Sequence, residues 1–114
     1  MANLERSESE GVTVLRLQGS LGHVELREVE KEFHEATHGG ASAVIVDLAN
    51  VDFLTTPAIT MFLEAAKSLK LTGGKIGVTG PQPRVGDILK RLRLESILPV
   101  YASVQEGIQR VKRI

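Results

Sequence analysis

The chain has no cysteine and no tryptophan, and only one tyrosine and three phenylalanines. Without cysteine there is no disulfide framework, no thiol nucleophile and no cysteine ligand for a zinc finger. The lack fits a reducing compartment. Scarce aromatics deny the chain a base-stacking platform for nucleic acid. No apolar run approaches the roughly 18 residues of a membrane span. Met1 to Glu10 is polar and acidic, whereas a signal peptide needs a basic start and an apolar run. These absences predict a cytoplasmic protein that does not insert into a membrane. Net charge is missing as well, because 14 basic side chains balance 14 acidic ones.

What is present is a chain of 114 residues, 42% of them hydrophobic, which is enough to bury a core. A single domain over residues 1–114 is predicted. The zero net charge conceals a division. Residues 1–57 carry four basic and ten acidic side chains, and residues 58–114 carry the reverse, so the halves are −6 and +6. Such a division can steer a partner. It can equally mark two solvated helix faces of opposite sign.

Val12 to Leu17 is β-branched and apolar between Gly11 and Gly19, and reads as a strand. Leu4 to Ser9 alternates weakly and pairs with it through a turn at Glu10-Gly11. Between Val24 and Thr37 the apolar spacing of Leu26, Val29, Phe33 and Ala36 is helical, with Gly39-Gly40 supplying a left-handed stop. Ala43 to Leu48 reads as a central strand covered on both faces. A helix is predicted from Pro57 to about Leu71, with Thr56 as its N-cap and Ile59, Phe62, Leu63, Ala66 and Leu69 inward. Gly73-Gly74 closes it. Lys75 to Thr79 is the next strand. Val85, Ile88, Leu89 and Leu92 mark a third helix, and Leu98 to Tyr101 a short strand. Ser103 and Glu106 open a last helix as a capping box, with Val104, Ile108 and Val111 inward. The order β-β-α-β-α-β-α-β-α predicts an α/β fold: a mixed, mostly parallel sheet of four to five strands with about four helices.

His34-Glu35-Ala36-Thr37-His38 satisfies the H-E-x-x-H pattern of zinc hydrolases. It falls in the last turn of a short helix, about 80–120° away from Leu26 on a helical wheel, and so faces solvent. Ala41 stands where an extended zinc motif needs glycine, and no third histidine follows. Histidines there also complement the negative end of the helix dipole. A zinc hydrolase acting through His34, Glu35 and His38 is kept only as a remote alternative, and no metal site and no cofactor are predicted. Neither a G-x-G-x-x-G nor a P-loop is present, so no nucleotide site is read. Lys90, Arg91, Arg93, Arg110, Lys112 and Arg113 are too few and too scattered for a nucleic-acid surface. No serine sits in a nucleophile elbow, and no catalytic residue is assigned.

The remaining feature is Leu54-Thr55-Thr56-Pro57-Ala58, where two hydroxyls meet a helix N-terminus. Dipole and free N–H groups there favour an anion, so a phosphate added by a kinase would sit well. The same residues also read simply as an N-cap and a β-former. Beside the helix's core stripe, Ala58, Met61, Ala65 and Ser68 form a second, mildly apolar stripe that offers a partner face.

Val44 to Leu48, then Val51 to Thr56, a helix and Gly73-Gly74-Lys75 together resemble the core of STAS domains. The resemblance reaches back to Leu17-Gln18-Gly19-Ser20-Leu21 and forward through Thr79 to Pro83, over about residues 10–112. It implies a non-enzymatic binding module of the anti-sigma-factor-antagonist kind. The implied partners are an anti-sigma factor or serine/threonine switch kinase, or other STAS proteins in a stressosome-like assembly. The family's phosphorylation site lies at the start of the second helix. In the Asp-Ser-Ser-Gly frame the modified serine falls on Pro57. In the stressosome-type frame, which the segment Ala65 to Pro83 resembles more, it falls on Thr56, with Thr55 in the aspartate's place and Ala58 in the glycine's. The acidic residue common in the loop after the second strand is replaced by Gly22 and His23. The implied partner surface is Gly22, His23, Leu54, Thr55, Thr56, Pro57, Ala58, Met61 and Ala65, with Thr56 and then Thr55 as phosphorylation candidates. Similar domains also accompany lipid and anion transporters, so a subunit of a membrane transport complex is the alternative.

Overall fold

A computed structural model describes residues 2–39 and 42–112. Glu10 and Gly11 take positive φ of 52° and 79°, the mirror-image turn whose twist suits a two-residue hairpin. The turn joins β1 (Ala2–Ser9) to β2 (Val12–Leu21) in antiparallel register, Ser9 opposite Val12 and Leu4 opposite Leu17. Three parallel strands follow: β3 (Ala43–Leu54), β4 (Lys75–Thr79) and the two-residue β5 (Val100–Tyr101). Spatial order equals sequence order, β1-β2-β3-β4-β5. The helices are α1 (His23–His38), α2 (Thr56–Leu71), α3 (Pro83–Arg91) and α4 (Val104–Val111). A 3-10 turn at Leu94–Ser96, absent from the sequence reading, precedes β5.

Alternation along the strands sorts the core into two clusters. Leu15, Leu17, Val44, Val46 and Leu48 point to the face carrying α1, α2 and α3. Phe33 of α1 and Phe62 of α2 pack there at 5.6 Å between ring centroids. Val12, Val14, Ala43 and Ile45 point to the other face, which Ile108 and Val111 of α4 cover. A β-α-β connection closes right-handed, so a monotonic strand order leaves all three crossover helices on one face and the second face for α4. Among the described residues no helix is long and apolar enough to cross a membrane.

Three local devices hold the frame. Gly74 N–H donates to Leu69 O at 2.7 Å and Gly73 N–H to Lys70 O at 3.1 Å, a Schellman closure of α2 with Gly73 at φ 77°. Ser103 Oγ accepts from Glu106 N–H at 3.2 Å and caps α4. Glu10, at the hairpin tip, accepts from Lys112 Nζ at 3.1 Å and Gln109 Nε2 at 3.3 Å, which ties α4 to the first turn.

The structure corrects several expectations. Strand β3 runs on from Leu48 to Leu54 by pairing with β2 through two register shifts, near Arg16/Gln18 and Gly19/Ser20. That extension moves the cap of α2 back by one residue, from Thr56 to Thr55. Gly39 ends α1 at φ −92° rather than in the left-handed region; Gly40 lies outside the described residues, as does Arg113. Leu92 falls just past α3 and is 53% exposed instead of inward, because the chain turns away at Arg93 in a left-handed conformation. Val24 is 75% exposed at the start of α1.

Candidate binding face at the start of helix α2

Leu21 and Leu54 end β2 and β3 side by side as register partners. One residue later each strand gives way to a helix, so the N-termini of α1 and α2 emerge together from one end of the sheet. Gly22 is the N-cap of α1 and its carbonyl accepts from Leu26 N–H at 3.0 Å; Thr55 is that of α2 and accepts from Ile59 N–H at 3.1 Å. The two helix dipoles therefore present partial positive charge to the same surface.

The two threonines differ in role. Thr55 Oγ1 donates to Leu21 O at 2.7 Å, a cross-strand bond that spends its hydroxyl on the frame. Thr56, the first residue of α2, is exposed and faces solvent with Thr60. Pro57 follows in the first turn, where the N–H it lacks would find no helical acceptor.

Burial divides the expected partner surface. Gly22, His23, Thr55, Thr56, Pro57 and Met61 reach solvent at least in part. Leu54, Ala58 and Ala65 do not, with exposures of 4%, 0% and 0%. Helix α2 packs on the sheet and against α1, so its buried arc is wider than a single-face helix predicts. The second stripe is thus largely core. Two apolar residues that sequence reasoning left out reach solvent at this end instead: Val24 at 75% and Phe53 at 44% exposure. Phe53 was hidden because a register shift precedes it in β3 and breaks the two-residue period. Glu25 was also missed. Its Oε1 lies 2.5 Å from where a side chain on Gly22 would begin, so its carboxylate returns to the loop after β2, where Gly22 and His23 carry none.

Between α1 and α2 runs a groove of about 340 Å³, lined by Thr56, Pro57 and Met61 on one side and Glu30, His34 and His38 on the other. His34 and His38 are exposed, and their rings stack with centroids 3.8 Å apart and planes at 13°. A metal binds in the plane of an imidazole about 2.1 Å from its nitrogen, and near-parallel planes at that spacing do not converge on one ion. His38 Nδ1 lies within hydrogen-bond distance of His34 O and Thr37 Oγ1, at 3.2 and 3.0 Å. The described residues hold no group of three or more metal-ligating side chains.

Comparison with known proteins gives this geometry a context. The Bordetella bronchiseptica protein BtrV, named as a candidate anti-sigma factor antagonist, is 24% identical over 94 residues, which cover 82% of this chain and 81% of that one. The crystal structure of an anti-sigma factor antagonist from Mycobacterium paratuberculosis superposes with a TM-score of 0.90 at 18% identity, covering 99% of this chain and 96% of that chain. The anti-sigma factor antagonist SpoIIAA in its unphosphorylated form gives 0.78 at 20% identity, covering 95% of each chain. At these identities the likeness establishes a shared fold. The model of the STAS domain family matches residues 3–107, nearly the whole length, and the chain belongs to that family.

Proposed function

We propose that the protein is a non-enzymatic switch component that binds an anti-sigma factor or serine/threonine switch kinase, or joins a stressosome-like assembly, through the end of the sheet where α1 and α2 begin. The observation that carries this reading is the position of Thr56. It is an exposed hydroxyl on the first turn of a helix, at the end of the sheet where Val24 and Phe53 are also exposed. Apolar groups supply the adhesive area. The hydroxyl supplies a place to change the charge of that area by up to two units.

On this reading Thr56 is the phosphorylation site and Thr55 is not, because the Thr55 hydroxyl is half-buried and bonded to Leu21 O. Phosphate at Thr56 lies on free N–H groups of α2 and is well tolerated by the fold. It opposes any partner that meets this end with acidic groups.

The test is incubation with candidate switch kinases, location of the phosphate by mass spectrometry, and affinity capture from the native cell. Modification at Thr56, abolished by Thr56→Ala, together with capture of a kinase or anti-sigma factor, supports the proposal. Capture of transporter subunits, lost on Phe53→Asp, would sink it in favour of a transport role.

A further inference from the structure

The far end of α2 borders a second concavity, a groove of about 640 Å³ along the edge of β4. Ile76 of β4, 7% exposed, lies on its floor. Val78 N–H donates to Pro99 O at 2.8 Å and Gly80 N–H to Tyr101 O at 3.0 Å, whereas Lys75 N–H turns the other way, to Ser42 O at 3.0 Å. Alternation along a strand therefore aims the N–H and C=O of Ile76 at the same edge as those of Val78 and Gly80. To continue the ladder, Ile76 O would need the N–H of residue 99, which is proline and has none. Pairing stops at Val78–Val100, and among the described residues Ile76 has no backbone partner on that edge.

The walls are apolar and cationic. Leu63 on α2, Ile97, Pro99 and Tyr101 give apolar surface, with Ile97 51% exposed. Lys67 and Lys70 of α2, Lys75 of β4 and Arg110 of α4 give four exposed cations, and no acidic side chain lines the groove. Among the described residues none of the four forms an ion pair, since the pairs present are Arg6–Glu8, Arg16–Asp47 and Lys112–Glu10.

An unpaired backbone position at Ile76, flanking apolar surface and unopposed positive charge have one occupant in common. We infer that this groove binds an extended acidic segment of a partner protein, added as a strand to the edge of β4. Its backbone pairs with Ile76, alternate side chains rest on Leu63 and Ile97, and its carboxylates meet Lys67, Lys70, Lys75 and Arg110. Strand addition draws affinity from backbone pairing and specificity from alternate side chains. Lys67 lies eleven residues along α2 from Thr56, roughly 16 Å at 1.5 Å per residue, so both surfaces can be occupied together.

The experiment uses the full chain and a fluorescent peptide of about nine residues alternating valine and glutamate. Fluorescence anisotropy is expected to give saturable binding that weakens with salt and falls at least about tenfold in a K67E/K70E variant. Both lysines are exposed, and circular dichroism checks that the variant folds. N-methylation of the peptide's edge-facing amides should cost a similar factor. The peptide should slow hydrogen exchange at the Ile76 amide by about tenfold or more. A valine–lysine peptide binding equally well, or indifference to K67E/K70E, overturns the inference. So does peptide binding that N-methylation leaves unchanged and dodecyl phosphate abolishes, which would make the groove a site for amphiphilic anions.

Discussion

The hydroxyl of Thr55 reaches back across the sheet to the carbonyl of Leu21 at 2.7 Å, so the residue that opens α2 also clamps the ends of β2 and β3. Thr55→Val keeps the shape and removes the donor. It should lower stability by about 1 kcal/mol, and by up to ~2 if the carbonyl is left dry. Thr55→Ser should retain most of it. Thr56→Val, at an exposed position, should stay within about 0.5 kcal/mol. Urea unfolding of the three variants separates the two threonines, and equal losses at Thr55 and Thr56 would show that the clamp is not real.

Gly107 marks the closest approach of α4 to the sheet. A methyl group there would lie 2.7 Å from both Ile45 Cδ1 and Thr79 Cγ2. Helix propensity favours alanine by about 1 kcal/mol, whereas overpacking costs about 1–3 kcal/mol. Thr79 is fully buried and branched at Cβ, so it yields little. Gly107→Ala should therefore be net destabilising, with a lower thermal midpoint in calorimetry.

Ser103 caps the same helix through Glu106 N–H. Ser103→Ala should cost about 1 kcal/mol, and Ser103→Asp should cost little. The loss should be visible as faster amide exchange confined to the first turn of α4.

At the proposed partner face, burial separates two classes of variant. Val24→Asp alters a side chain that is 75% exposed, so it should leave the unfolding midpoint nearly unchanged while abolishing capture of the partner; Phe53→Asp, at 44% exposure within β3, should abolish capture with a loss of about 1 kcal/mol. Ala65→Leu adds volume to a fully buried site and should instead destabilise by about 1–3 kcal/mol. A pull-down paired with a melting curve distinguishes them.

Most of the frame was legible in the residues. The β-branched, apolar run from Val12 to Leu17, the helical spacing of Leu26, Val29 and Phe33, the stop at Gly73 and the start at Ser103 are local signals, and each element they predicted is present. What escaped depends on contacts across the chain. The continuation of β3 past Leu48 is set by register shifts against β2, which break the period that a strand reading relies on. The burial of Ala58 and Ala65 follows from having α1 as a neighbour, and small residues carry no signal of which neighbour they will meet. The open edge at Ile76 needed the pairing of β5 to be known, although Pro99 was a visible warning that the ladder would stop.

The tie from Glu10 to Lys112 joins residues 102 positions apart. That tie spans almost the entire sequence, while α4 also packs on β3, β4 and β5. The helix has eight residues and rests on the smaller of the two cores. A short helix on a small core should lift early in local opening, read as faster amide exchange over Val104–Val111 than over the sheet. When it lifts, Val14 and Ile45 are bared and Arg110 leaves the β4 groove. An acidic strand bound there latches the closed form, and its arrival should be felt at the hairpin tip as slower opening of the turn at Glu10.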